Sequence, residues 1–352
     1  MQQQAFYQSH QQLPFIKEEG QAILQKQKVV VIGAGGLGCP CLIALAGAGI
    51  GVIGIADFDT VSVSNLHRQY LYNLADAGQL KTTIASKQLE QYNPFIKIQT
   101  HCLLVDESNV LELISGYDII ADCTDNFATR YLINDACVFL NKPLVYGAIH
   151  QGEGHITVFN YNDSATLRCL FPKDENDSIA SCAEIGAYNI TTSIIGNMMA
   201  NEVIKLALKR PEVLAEKLKL VSVLDGSINT ITYKPTAEGR AKSMDRFTLS
   251  KQVETITPLL LADMINTRKH FTLIDVREAA EHSNNNIGGI NFPLQQLLQT
   301  EALPFNQTDH IVLYCQKGSR SLQALAYLQK KGFTNAVSLL GGIDLYQQLI
   351  TA

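Results

Sequence analysis

Between Val29 and Ala56 the chain runs for 28 residues without a charged side chain, and eight glycines interrupt the run. A charge-free segment of that length could span a bilayer as a helix. The glycines, with Pro40 near the middle, instead divide it into a buried strand, a tight turn, a helix and a second strand. Gly33, Gly35 and Gly38 give the turn the spacing G-x-G-x-x-G. Glycines there let the backbone approach a phosphate, and the helix start beyond them offers unpaired N–H groups and the positive end of a dipole. Asp57 follows the second strand, where a carboxylate can bond ribose hydroxyls. On these features alone, a nicotinamide-dependent oxidoreductase is one reading.

Strand and helix signals continue to alternate, with helices expected at 81–91, after Asn126 and at 188–209, and strands at 96–101, 117–122, 143–149 and 155–160. The expected fold class is α/β: a Rossmann-like doubly wound sheet over about 230 residues, followed by a smaller α/β domain. A chain of 352 residues suits two cores. The stretch "YKPTAEGRAKSMDR" at 233–246 has no apolar periodicity and reads as a linker. The expected domains are therefore 1–234 and 251–352, joined by a linker at 235–250.

With 28 basic against 33 acidic residues there is no cationic excess for a nucleic-acid backbone or an anionic membrane. The first residues lack the basic start and apolar core of a signal peptide, so a cytoplasmic setting is expected. Eight cysteines in no dense pattern then read as reduced thiols. Cys39 and Cys41 read as helix packing, and Cys102, Cys123 and Cys137 as core.

The residues after the glycine turn fit nicotinamide chemistry poorly. Asp57, Asp59, Asn65, Arg68, Gln69 and Lys81 follow in close order, and then "DCTDN" places Asp125 and Asn126 at a strand end. Hydride transfer needs few charges, because its chemistry belongs to the cofactor. Transfer of a phosphoryl or nucleotidyl group needs many: cations to offset phosphate charge, and an aspartate to hold Mg2+. Arg68 and Lys81 suit the phosphates and Asp125 the metal.

Together "GAGGLG", "DFDTVSVSNLHRQ", the following lysine and "DCTDN" resemble the MoeB/ThiF-type adenylyltransferases, relatives of ubiquitin-activating enzymes, over residues 7–234. The resemblance implies ATP-dependent adenylylation of the C-terminal glycine of a small ubiquitin-like sulfur carrier (ThiS/MoaD-like) by a homodimer. By matching motifs, Gly36, Asp57, Ser64, Asn65, Leu66, His67, Arg68, Lys81, Asp125 and Asn126 would contact ATP or its Mg2+. Cys182 in "SCAEIG" matches the cysteine that in some members bonds the carrier covalently. Two departures stand out. Ser9 replaces an arginine that reaches the partner subunit's nucleotide, and Thr166 replaces one cysteine of a zinc-binding pair, leaving Cys169, so no zinc site is expected.

Near the C-terminus, "YCQKGSRS" sets Cys315 at a strand end before a helix, where loop N–H groups, the helix dipole and Arg320 would stabilise a thiolate or persulfide. With "LIDVRE" (Asp275, Arg277) and "LLGGIDLY", residues 250–352 resemble a rhodanese domain, with Tyr346 where tryptophan is usual. Four residues separate Cys315 from Arg320, against five in the phosphatases that share this fold. The joint expectation is a carrier-activating enzyme that passes sulfur from a Cys315 persulfide, charged by a donor such as a cysteine desulfurase, to yield a thiocarboxylate. The rivals are an NAD-dependent oxidoreductase fused to a rhodanese and a nucleotide-binding regulatory module without turnover. Thiamine, molybdopterin, cysteine synthesis and tRNA thiolation all remain open as pathways.

Overall fold

The computed structural model describes residues 2–172, 186–251, 255–300 and 303–350. They form two compact units, divided after Phe247. No helix among the described residues is long and apolar enough to cross a membrane.

The first unit begins with helices α1 (Gln2–Gln11) and α2 (Lys17–Leu24) and continues through β1 (Lys28–Ile32), α3 (Gly38–Ala48), β2 (Val52–Ala56), α4 (Lys81–Tyr92), β3 (Lys97–His101) and α5 (Val110–Ser115). After these come β4 (Ile119–Asp122), α6 (Phe127–Phe139), β5 (Leu144–His150), β6 (Glu153–Phe159) and the short α7 (Leu167–Leu170). A long helix, Asn189–Ala207, precedes the hairpin of β7 (Lys217–Ser222) and β8 (Ile228–Thr232). The eight strands form one sheet in the order β3-β2-β1-β4-β5-β6-β7-β8, parallel from β3 to β5 and antiparallel beyond.

The charge-free run explains itself in this sheet. Strand β1 sends Val29 and Val31 into a core under α3 and α4, and Val30 and Ile32 into a second core under α5 and α6, so both of its faces are buried. Each such side chain contributes roughly 1.5–3 kcal/mol on leaving water. Pro40 lies in the first turn of α3, where a backbone N–H has no helical partner to lose. The helix Asn189–Ala207 packs across α3 and β5 and closes the first core.

Two expectations are corrected here. The stretch read as a linker is helical over Ala237–Lys251. Gly239, Ser243 and Phe247 are buried in it, one residue in four, and Phe247 packs on Phe139 with centroids 5.8 Å apart. Arg246 donates to Glu107 at 3.0 Å and to buried Asp135 at 3.3 Å, and Arg240 to Asp163 at 3.0 Å. The buried stripe holds one glycine and one serine, so no apolar period could show. Cys102 is the second correction: it is exposed, because the chain leaves the sheet after β3, an edge strand that ends at His101. Cys39, Cys41, Cys123 and Cys137 are buried.

The second unit is a five-stranded parallel sheet ordered β11-β10-β12-β13-β9, from β9 (Thr255–Ile256), β10 (Thr272–Asp275), β11 (Ile290–Asn291), β12 (Ile311–Tyr314) and β13 (Ala336–Leu339). The central strand β12 is buried along its length, with Ile311 and Leu313 in one core and Val312 and Tyr314 in another. It ends at Tyr314, and Cys315 follows directly, four residues before the first residue of the helix Ser319–Lys330.

Candidate functional sites in the two units

In the first unit the chain reverses its direction of winding between β1 and β4, and a cleft opens there at the carboxyl ends of the strands, as expected of doubly wound sheets. A cavity of about 310 Å³ occupies it, bounded by the strand ends at Ile32, Ala56 and Cys123. Three helices begin at its wall: α3 behind Leu37, α4 at Lys81 and α6 behind Asn126. Three positive dipole ends thus stand at the wall of one space, which suits a polyanion.

The glycine turn shapes the floor. Gly33 has φ +96°, and a Cβ on it would lie 2.7 Å from the Cys123 carbonyl oxygen. A Cβ on Gly38 would run into the Gly33 carbonyl. Gly33, Gly35 and Gly36 line the cavity, whereas Gly38 lies behind them in the first turn of α3. Asp57 locks the turn: its Oδ2 accepts the Ala34 N–H at 2.7 Å and its Oδ1 the Asp59 N–H at 2.8 Å. The carboxylate expected on a ribose is thus also the clamp that ties the glycine turn to the end of β2.

Asp59, Asn65, Arg68, Gln69, Lys81, Asp125 and Asn126 line the same cavity. Lys81 is buried and donates to Asp59 Oδ2 at 2.8 Å, and Arg68 donates to Asn65 Oδ1 at 2.6 Å, so both cations are held in place rather than free in solvent. Gln69 carries a buried Oε1 without a hydrogen-bond partner in the protein. Asn126 caps α6 by accepting the Thr129 N–H at 2.9 Å. Ser64, Leu66 and His67 do not line the cavity; the His67 ring contacts the Ser64 and Ala187 carbonyls instead. Ser9 is exposed on α1. Cys182 lies outside the described residues.

The structure adds residues to the wall that the sequence did not single out. Leu103, Leu104 and Val105 give it an apolar side, and Thr192 brings in the helix Asn189–Ala207. Arg130 contributes a third cation, nearly buried. Its signal was available in "DNFATR": four residues past a helix cap, a side chain returns to the capped end.

Cys169 accepts the Thr236 N–H at 3.3 Å and the Thr166 N–H at 3.4 Å. Burial opposes the thiolate, yet the Thr166 hydroxyl, 3.4 Å away, and these backbone bonds hold the thiol below its usual range.

In the second unit Cys315 is buried, and its Sγ accepts the Gly318 N–H at 3.2 Å and lies 3.6 Å from the Ser321 hydroxyl. Ser321 is fixed in turn by the Ser338 hydroxyl at 2.9 Å. A negative sulfur at the start of a 12-residue helix is thereby met by donors and a dipole. Gln316 is gripped from two sides, by Arg277 at 2.9 Å and by Asp344. Arg277 is itself bonded to buried Asp275, whose carboxyl burial would raise but which Arg277 and His282 hold below its ordinary range. Arg320 does not stand free beside the sulfur: Glu281 takes both its Nη groups, at 2.6 and 2.7 Å. Tyr346 is buried in the core of this unit.

Comparison with known proteins agrees with this division. Residues 7–241 match the model of the ThiF family, and residues 257–349 that of the rhodanese-like domain. A probable adenylyltransferase/sulfurtransferase MoeZ of Mycobacterium tuberculosis is 38% identical over 96% of this chain and 91% of its own length. The adenylyltransferase and sulfurtransferase MOCS3 of Anopheles gambiae is 34% identical over 94% and 84%. The sulfur carrier protein adenylyltransferase of Thermus thermophilus is 41% identical and covers 63% of this chain and 84% of its own. Among solved structures, E. coli MccB with ATP superposes with a TM-score of 0.55 at 22% identity, over 62% of this chain and 67% of that one, a likeness of fold. The chain belongs to the ThiF family and carries a rhodanese-like domain after its ThiF domain.

Proposed function

We propose that the first unit uses ATP to adenylylate the C-terminal carboxylate of a small ubiquitin-like sulfur carrier, and that the second supplies sulfur from a Cys315 persulfide. One observation carries the reading: a polyanion-sized cavity with Arg68, Lys81 and Arg130 in its wall stands at three helix N-termini, and the same chain ends in a thiol held by loop donors. The named activities of the relatives, an adenylyltransferase and a sulfurtransferase in one chain, support it.

The carrier carboxylate is ionised at neutral pH, so attack on the α-phosphorus needs no general base. The bond to the β-phosphate oxygen breaks and pyrophosphate leaves, with Lys81 and Arg68 held where negative charge grows. Positioning and electrostatics do the work. Among the described residues no three His, Cys, Asp or Glu side chains gather as metal ligands, and a single cavity carboxylate such as Asp125 is the donor set of Mg2+, which takes its other ligands from water and phosphates. Bound there, Mg2+ would offset phosphate charge.

The terminal sulfur of the persulfide then attacks the acyl carbon and AMP leaves, giving an acyl disulfide on Cys315. A second thiol attacks the Cys315 sulfur, releases the thiocarboxylate and leaves a disulfide for an external thiol to reduce; Cys182 remains the candidate for a covalent bond to the carrier. The same reading takes a homodimer in the cytoplasm, charged by a persulfide donor such as a cysteine desulfurase, and sets no zinc beside Cys169.

The test is a separation of the two activities. Cys315→Ala should keep carrier-stimulated pyrophosphate exchange near the parent rate and abolish thiocarboxylate formation, read by mass spectrometry of the carrier. Asp125→Ala should abolish exchange and leave thiosulfate-to-cyanide transfer intact. No exchange with any Gly-Gly-ending carrier of the same genome would refute adenylylation.

A further inference from the structure

The turn that carries Asp125 is held by its neighbour. Thr124 gives its N–H and its hydroxyl to Asp122 Oδ1, at 2.9 and 2.6 Å, and its carbonyl accepts Arg130 Nη2 at 2.7 Å. Both backbone polar groups of Thr124, and so the peptide units on either side of it, are thereby fixed by side chains of opposite charge, one from the end of β4 and one from the first turns of α6. The second Asp122 oxygen and Arg130 Nε are both buried without hydrogen-bond partners. Two complementary charged groups with spare capacity, Arg130 in the cavity wall and Asp122 buried behind it, are costly to keep unless they serve something.

Arg130 is oriented with unusual care. Its guanidinium lies 5.5 Å from the Phe127 ring centroid and 5.2 Å from that of Tyr146. Its Nη1 donates to the Tyr146 hydroxyl at 3.3 Å, and that hydroxyl lies 3.2 Å from His155 Nε2. Burial, aided by the Arg130 charge, pushes His155 down to about 4, so the ring is neutral at pH 7 and Nε2 can accept the tyrosine proton. Arg130, Tyr146 and His155 therefore form one hydrogen-bonded chain. Burial also raises the Asp122 carboxyl, and the nearby Arg130 charge is the largest influence opposing that rise. Arg130 thus supports both the turn and the carboxylate that clamps it.

We propose that Arg130 is a positioning residue for adenylyl transfer: held by Phe127, Tyr146 and His155, it fixes the Thr124 carbonyl and so sets Asp125 for the metal–nucleotide complex. The inference rests on the adenylyl-transfer reading and deepens it. A lysine at this position keeps the charge but replaces the planar fork, whose two nitrogens separately bond the Thr124 carbonyl and the Tyr146 hydroxyl, with a single nitrogen on a flexible stem. Misplacing a metal-holding carboxylate by about 1 Å lowers turnover by roughly 100-fold, and loss of a group that orients a ligand weakens metal binding about 10- to 100-fold.

The experiment compares the full-length parent with Arg130→Lys and Tyr146→Phe, the second a milder change should the first fold poorly. Four quantities are read: the unfolding temperature, the pyrophosphate-exchange kcat, the KM for ATP, and Mn2+ affinity by electron paramagnetic resonance with a non-hydrolysable ATP analogue bound. Arg130→Lys is expected to lower kcat by roughly 100-fold with KM for ATP within about threefold, and to weaken Mn2+ at least about tenfold. Tyr146→Phe should shift kcat and Mn2+ affinity in the same sense by a smaller factor, with the unfolding temperature unchanged. A raised KM at parent kcat would make Arg130 an ordinary nucleotide contact, and unchanged Mn2+ affinity in both variants would show that it does not act on Asp125; either result overturns the proposal. Failure of the parent itself to bind the ATP analogue would instead overturn the adenylyl-transfer reading.

Discussion

Replacing Gly33 and Gly35 by alanine, one at a time, should separate two duties of the glycine turn. Gly33 has φ +96°, a conformation that costs an alanine about 1–2 kcal/mol. Its Cβ would also stand 2.7 and 2.9 Å from the Cys123 carbonyl oxygen and carbon, backbone atoms of the neighbouring strand end that cannot swing aside. Relieving such a clash adds about 1–3 kcal/mol. The sum, about 2–5 kcal/mol in a unit of this size, lowers the unfolding temperature by roughly 5–15 °C. At Gly35 the added Cβ meets only the Gln69 Nε2, at 3.6 Å, an ordinary contact at the cavity wall. Gly35→Ala should leave stability unchanged or raise it slightly, because alanine restricts the unfolded chain, while weakening ATP binding by filling phosphate space. Calorimetric unfolding of the full chain, with ATP titrated into each folded variant, measures both. If Gly33→Ala unfolds within about 2 °C of the parent, the clash and the strained φ are not what this glycine is for.

Phe247→Ala removes a buried ring from the second core of the first unit and should cost about 3–5 kcal/mol, lowering the first unit's unfolding transition and leaving the second unit's in place; an unaltered first transition would return residues 235–250 to the status of a linker. In the second unit, the bonds from Arg320 hold Glu281 down to about 2, below its unfolded value near 4.3. The stabilisation is therefore complete above about pH 4.3 and is lost as the pH falls toward 2. Between pH 5 and pH 3 the unfolding temperature of this unit should drop less steeply in Glu281→Gln than in the parent, and equal slopes would show the pair to be thermodynamically silent.

What could be read from the sequence was what is local. The glycine turn, the strand after it and the helix after Asn126 each follow from the geometry of a few adjacent residues, and the structure sets them where that geometry requires. The strand and helix periods gave the parallel half of the sheet for the same reason. The hairpin β7–β8 and the helix Ala237–Lys251 escaped notice because their burial is decided by what covers them: β8 is exposed along its length, and the helix buries a glycine and a serine for every phenylalanine.

The site shows the same divide within a few residues. Arg68 and Lys81 stood out as cations beside a phosphate turn, but the sequence could not say that Asn65 and Asp59 would hold them. Arg130 had only its spacing from Asn126 to recommend it, and its role depends on Asp122, Tyr146 and His155, which come from three different strands. Arg320 went the other way: beside Cys315 it reads as charge for the sulfur, yet Glu281, 39 residues away in sequence, takes a bond from each of its Nη nitrogens. A residue's type and spacing reveal what it can bond; the partners that arrive through the fold decide how much of that capacity is left for a ligand. In this chain Gln69 and Arg130, both in the cavity wall, each keep a buried atom without a partner, whereas each Nη of Arg320 already gives a bond to Glu281, so substitutions at the first two are where ligand response should change most.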